Sequence, residues 1–303
     1  MHVTIGIITS GRPDGLLRLI GSLDQLTFSD EPPAIEILVV DNHPEQTARE
    51  CLLSIDCAHP LRYEVESNRG IPHARNAVIT LAKAETDFIV FIDDDQTADP
   101  HWLDALLKVQ RDTKADVVTG PAIPQYPENT PPWVPRCGGF DLHRFPTGTE
   151  RPFAFTHNVM TKRSVFDRVQ PHFDLRLVST GASDTHFFRR VAESGHRIIW
   201  ADEAIAYEWI PAKRMNARWL LQRALRIGGT DAFIERDLAG NAKAIPTVTV
   251  RAIRYAIRGI LRCITGCFEG KAGMVRAGRD FMHAAGLVAG LLGYRYPEYR
   301  RAD

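Results

Sequence analysis

No uncharged apolar run in this sequence reaches the roughly 18 residues that a membrane-spanning helix needs. The longest near the end, Ala284 to Tyr294, has 11 residues and is broken by glycine. The five cysteines (Cys51, Cys57, Cys137, Cys263 and Cys267) follow no zinc-ligand spacing, and their odd number argues against a complete disulfide framework. A reducing cytosol fits such usage best. Residues 1–10, MHVTIGIITS, lack the charged start and cleavage site of a secretory leader and read as a first strand. No G-x-G-x-x-G follows that strand, which argues against a dinucleotide-dependent oxidoreductase. There is no net charge either: 37 Lys+Arg balance 37 Asp+Glu, so the total says nothing about partners.

The distribution of charge does. Residues 1–210 carry 20 Lys+Arg and 30 Asp+Glu; residues 211–303 carry 17 and 7. A basic segment after an acidic body points to an anionic surface, or to a basic tail packed on that body. We therefore expect one domain over 1–210 and a helical, basic, membrane-proximal region over 211–303.

Within 1–210 strand and helix signals alternate. Val3–Thr9, Ile35–Asp41, Leu61–Val65, Phe88–Ile92 and Val117–Thr119 read as strands. Leu16–Leu26, Gln46–Ile55, Pro72–Lys83 and Trp102–Gln110 read as helices between and after them. Further on, Thr156–Arg168 and Asp184–Glu193 are expected as helices and Arg197–Tyr207 as a strand. This order predicts an α/β fold with a mainly parallel sheet flanked by helices. Ligands of such sheets bind beyond the carboxyl ends of the strands, where Asp41 and the Asp93–Asp95 run fall. The proline-rich stretch from Pro121 to Pro152 reads as a long functional loop. Its Trp133 reads as a sugar-stacking or a core residue.

Three adjacent aspartates after the apolar FIVFI are the sharpest feature. Clustered carboxylates raise one another's pKa and, when ionised, want a cation. Hard oxygen ligands suit Mg²⁺ or Mn²⁺, typically shared with substrate phosphates. A solvated acidic turn, or a helix N-cap ahead of Asp99-Pro100, is the alternative reading.

The segment FIDDDQTADPHWL resembles the metal-binding segment of family 2 glycosyltransferases, which have the GT-A fold. VTIGIITSGRPDGL, ILVVDN and NRGIPHARNAVI are similar, in order, to that family's first strand, second strand and N-x-G-x-x-x-A-R-N pattern. GPAIPQYPENTPPWV, THNVMTKRSVF and SDTHFFRR resemble most the succinoglycan-type exopolysaccharide β-glucosyltransferases. The resemblance implies roles at matching positions. Thr9 and Asp41 would hold the nucleobase, and Arg69 and Arg75 would line the nucleotide pocket. Asp94 would bind the ribose and Asp95 the metal, Mn²⁺ or Mg²⁺. Asp93 and Asn158 would also contact the nucleotide-sugar. Asp184 would be the base of an inverting transfer, taking the proton of the acceptor hydroxyl; an N-terminal helix charge is the simpler reading of it. The chain departs from the family twice. Ser183 stands where a glutamate usually precedes the base, and Tyr207 or Glu208 where relatives often carry a metal-proximal histidine. His186 is a rival proton acceptor, pointed elsewhere than Asp184 by helical spacing.

Arg251, Arg254, Arg258 and Arg262 are spaced 3, 4 and 4, with Ile253, Ile257, Ile260, Leu261 and Ile264 on the apolar side. A basic amphipathic helix of this kind is expected to lie on an anionic membrane surface. A solvated face on a packed helix is the other reading. Nucleic acid is disfavoured because no aromatic interleaving accompanies the arginines. Taken together, the expectation is a hexosyltransferase on the cytoplasmic face of a bacterial inner membrane. The resemblance implies transfer, with UDP-glucose foremost as donor, to a polyprenyl-diphosphate-linked sugar. A non-catalytic nucleotide-sugar-binding scaffold is the competing class.

Overall fold

The computed structural model describes residues 1–141, 143–294 and 296. Its contacts divide into two compact units. One comprises Met1–Gln125, Leu142–Val178 and Ser183–Trp209; the other comprises Tyr126–Asp141, Ser179–Ala182 and Ile210–Asp303.

The first unit begins β1 (His2–Thr9), α1 (Pro13–Leu23), β2 (Ala34–Asp41), a short α2 (Arg49–Leu53) and β3 (Leu61–Val65). It continues α3 (Ile71–Leu81), β4 (Phe88–Ile92), β5 (Gln96–Ala98), α4 (Trp102–Thr113), β6 (Val117–Thr119) and β7 (Ala122–Gln125). Local chemistry sets the helix limits. Pro13 and Asp14 open α1, where a fixed φ and a negative charge both favour a helix start. Lys114, left-handed at φ 56°, closes α4.

Seven strands form one sheet in the order β3-β2-β1-β4-β8-β6-β9. Here β8 is Asn158–Lys162 and β9 is Ile198–Trp200, with α5 (Trp133–Arg136, in the second unit), α6 (Arg163–Arg168) and α7 (Ser183–Glu193) between β7 and β9. Every pairing is parallel except the two made by β8. Alternate residues of the inner strands feed two cores. Ile5, Ile37 and Val90 join Leu16, Leu19 and Trp102 on one face. Leu38, Ile89 and Phe91 join Val78, Phe166 and Phe187 on the other. All these side chains are at most 2% exposed, so each contributes about 1.5–3 kcal/mol relative to standing in water. Both faces being covered explains why FIVFI shows no polar alternation.

Three expectations are corrected. Thr156–Arg168 is not one helix: Asn158–Lys162 is a strand, hydrogen-bonded on both edges to β4 and β6. Met160 and Val165–Phe166 mimic helical spacing, but the gap between two strands decides the conformation. Arg197–Tyr207 is not one strand. It breaks after Trp200, and β10 (Ala206–Trp209) joins a separate small sheet, β5-β10-β7. Only half of Gln46–Ile55, Arg49–Leu53, is helical.

The second unit is dominated by α8 (Ala217–Glu269) and α9 (Lys271–Leu291). Asn216 caps α8, accepting a hydrogen bond from the Trp219 amide at 2.8 Å. Gly240, at φ 75° and ψ 160°, breaks α8 into two helices. The second of these and α9 approach closely at Gly266 and Gly273, where an added methyl on either would meet the other's backbone.

Candidate active site

The site lies at the carboxyl ends of β1, β2 and β4. Register sets it: Thr9 pairs with Asp41, and the aspartate run leaves β4 beside them. Thr9, 3% exposed, donates its hydroxyl to Asp94 Oδ2 at 2.8 Å. The Arg12 guanidinium donates to Asp94 Oδ1 at 2.8 Å and to Asp95 Oδ2 at 3.0 Å. Asp94 is 4% exposed. Burial, with the nearby Asp95 charge, outweighs Arg12 and pushes its carboxyl up to about 6. The same two carboxylates raise Arg12 above its ordinary value against the effect of its burial. Arg12 was not foreseen from the sequence; its place three residues after a strand ending opposite the aspartates was the available signal.

Asp93 turns the chain out of β4, its amide donating to the side chain of the buried Gln96 at 3.0 Å. Strand β5 follows and pairs with β10, so that the Trp209 amide donates to the Asp95 carbonyl at 2.9 Å. The end of β10 is thereby held beside the aspartate run. There the Tyr207 hydroxyl donates to Asp99 at 3.3 Å, which takes it up in the framework. Glu208 occupies the neighbouring place on the strand.

Other expected residues are placed differently. Asp41 is fully buried and accepts from the His43 and Ala48 amides and from the Tyr63 hydroxyl. Its carboxylate shapes the loop after β2, at the rim where the nucleobase contact is expected. Asn42, which sequence reasoning passed over, organises the other side. Its amide donates to the Glu66 and Asn68 carbonyls and its oxygen accepts from Gly70. That fixes the loop carrying Arg69, which is exposed and makes no ion pair among the described residues. Asn158 is fully buried. It donates to the Pro121 and Ala204 carbonyls and accepts from Trp102 Nε1 at 2.8 Å. It ties three segments together beneath the rim. Trp133 lies in the second unit, under the ammonium of Lys271 at 4.4 Å.

Pairing of Ile92 with Asn158 brings the start of β8 beside the aspartate run. From there the Thr156 hydroxyl donates to Asp184 Oδ2 at 3.4 Å. Asp184 opens α7, and its other oxygen accepts from the Thr185 amide at 2.8 Å. Ser183, 1% exposed, accepts from Arg75 Nη1 at 3.3 Å. Arg75 is only 7% exposed, and its Nε has no partner. Among the described residues no carboxylate pairs with it. A buried cation served by one hydroxyl and the Phe173 ring 5.7 Å away is suited to an incoming anion. His186 is buried and belongs to the inner side of α7.

A mainly parallel α/β sheet with clustered carboxylates at the carboxyl rim of its strands is the arrangement of the GT-A fold. The defining pattern of "Glycosyl transferase family 2" matches residues 4–170. The chain belongs to that family and is a glycosyltransferase. It is 31% identical over 303 residues to the succinoglycan biosynthesis protein ExoM of Rhizobium meliloti (strain 1021), covering 97% of this chain and 94% of that one. Among solved structures it is similar to the mannosyltransferase PcManGT of Pyrobaculum calidifontis, seen with GDP-Man and Mn²⁺. There the TM-score is 0.63 and the identity 17%, over 96% of this chain and 87% of that one. It is also similar to S. aureus TarS 1–349 with UDP-GlcNAc, at TM-score 0.55 and 13% identity, covering 99% and 93%. Of the longer TarS chain it spans 40%. The solved structures support the fold, and the likeness to ExoM supports a part in polysaccharide synthesis.

Proposed function

We propose that the protein is an inverting hexosyltransferase of cell-surface or exopolysaccharide synthesis. Its donor is a UDP-sugar, with UDP-glucose foremost, and its acceptor a sugar on a polyprenyl diphosphate at the cytoplasmic face of the bacterial inner membrane. The placement of Arg12 carries the donor side. A cation already sits between Asp94 and Asp95, and their oxygens are hard donors of the kind Mn²⁺ and Mg²⁺ take. The residues present therefore fit such an ion, with Asp95 as its protein ligand. When bound, it would neutralise charge on the departing diphosphate.

The chain's own groups do the rest. Thr9 orients Asp94 toward the ribose, and Arg69 and Arg75 supply cations to the nucleotide-sugar. Asp184, held by Thr156 and the Thr185 amide, takes the proton of the acceptor hydroxyl as its oxygen attacks the anomeric carbon. Ser183 in place of a glutamate leaves Arg75 its positive charge for the ligand. A thermal-shift screen of nucleotide-sugars, with and without Mn²⁺, tests this reading. UDP-sugars raise the unfolding midpoint and Mn²⁺ enlarges the rise; no response to any UDP-sugar sinks the donor assignment.

A further inference from the structure

The helical unit leaves an apolar surface in water. On the second half of α8, Ile253, Ile257, Ile260 and Ile264 are spaced 4, 3 and 4, which is one face of a helix. Leu261 and Phe268 extend it. The first five are 52–62% exposed and Phe268 is 92% exposed. Arg251, Arg258 and Arg262 lie on another side, partly exposed and each ion-paired. Arg251 pairs with Asp231 at 2.8 Å, and Arg258 and Arg262 pair with the buried Asp280 at 2.6 and 2.9 Å. The arginine stripe holds the hairpin together, and the isoleucine stripe faces out. From α9, the half-exposed Phe281 packs on Gly259, next to Ile260, and widens the surface.

Charge identifies what covers it. Between Asp237 and Glu269 stand five cations and no carboxylate. Of these, Lys243 and Arg254 are exposed and make no ion pair among the described residues. Two copies of the chain meeting through this face would bring these like charges together. An anionic bilayer offers the complement, acyl chains for the ridge and phosphates for the cations. No helix among the described residues is long and apolar enough to cross a membrane, so the ridge would lie in the surface.

We propose that the outward face of α8, from Ile253 to Phe268, beds into the interface of an anionic lipid bilayer, with Lys243 and Arg254 at the headgroup phosphates. This deepens the lipid-linked-acceptor reading above and rests on it. The full-length protein is floated with vesicles of phosphatidylglycerol and phosphatidylcholine, and with phosphatidylcholine alone. The wild type floats with the anionic vesicles. The combined change Ile257→Ser, Ile264→Ser and Phe268→Ser lowers partitioning at least about tenfold. Lys243→Ala with Arg254→Ala lowers it about tenfold on anionic vesicles only. Phe268→Trp shows blue-shifted emission on binding. Circular dichroism confirms the helices, and UDP-sugar thermal shifts are read on the same samples. A retained UDP response without flotation overturns this surface and leaves the donor reading standing; flotation without a UDP response does the reverse. Unchanged partitioning of the triple variant overturns the proposal. So does a dimer that the triple variant dissociates while no vesicle binds.

Discussion

Arg12→Ala should make the metal-free protein bind Mn²⁺ more tightly. One guanidinium nitrogen lies 2.8 Å from Asp94 and 3.0 Å from Asp95, and a metal ion at Asp95 must displace or repel it. A unit-charge pair near 4 Å is worth about 4 kcal/mol at the effective dielectric of a protein surface. The Arg12 side chain is 44% exposed, so solvent screening reduces its net hold to about 1–2 kcal/mol. Removing that competition corresponds to an affinity gain of about 5–30-fold. Electron paramagnetic resonance of free Mn²⁺, titrated without donor, measures it directly. Arg12→Lys should fall between wild type and alanine, because it keeps the positive charge on a flexible stem with a more strongly hydrated head. Unchanged or weakened Mn²⁺ binding in Arg12→Ala would refute the idea that this arginine stands on the cation site.

Three further outcomes follow from the same geometry. Asp94 holds its proton up to about 6 in the fold against a reference of 3.8, so between these values the native state binds more protons than the unfolded one. Its contribution to stability therefore falls as pH rises from about 4 to 6, and Asp94→Asn removes that slope in metal-free thermal unfolding. Asn158→Ala strands Trp102 Nε1 and two carbonyls in a dry place and should cost about 3 kcal/mol in urea unfolding; a loss of donor affinity at unchanged stability would instead support its expected ligand role. Asp280→Ala leaves Arg258 and Arg262 without their shared acceptor. Both are partly exposed and can turn to water, so the cost should be about 2–3 kcal/mol, seen as earlier loss of helical circular dichroism in denaturant.

What the sequence revealed, and what it hid, has physical reasons. Strands buried on both faces are apolar without interruption, so β1, β2 and β4 stood out, and with them the rim where Asp41 and Asp93–Asp95 emerge. Strand β8 did not, because its conformation comes from the two neighbours that bond its edges and not from its own residues. Side-chain roles were harder still. Asp41 and Asn158 carry the expected groups, and only the fold reveals their own partners: two amides and a hydroxyl for Asp41, an indole N–H and two carbonyls for Asn158. Arg12 gave no periodic signal, since its function arises from a carboxylate pair more than eighty residues away. For α8 the two faces were legible but their direction was not. That depends on Asp231 and Asp280, whose partners only the hairpin reveals.

The central claim is that Asp184 removes the acceptor proton while the Asp94–Asp95 rim holds the donor. Radiolabelled sugar transfer from UDP-glucose and related UDP-sugars to membrane-extracted lipid-linked acceptor, with Mn²⁺ present, tests it most directly when wild type and Asp184→Asn are run side by side. The account predicts transfer by the wild type. It predicts a loss of at least about 10²-fold in Asp184→Asn, with UDP binding retained. Transfer by Asp184→Asn at close to the wild-type rate would contradict it.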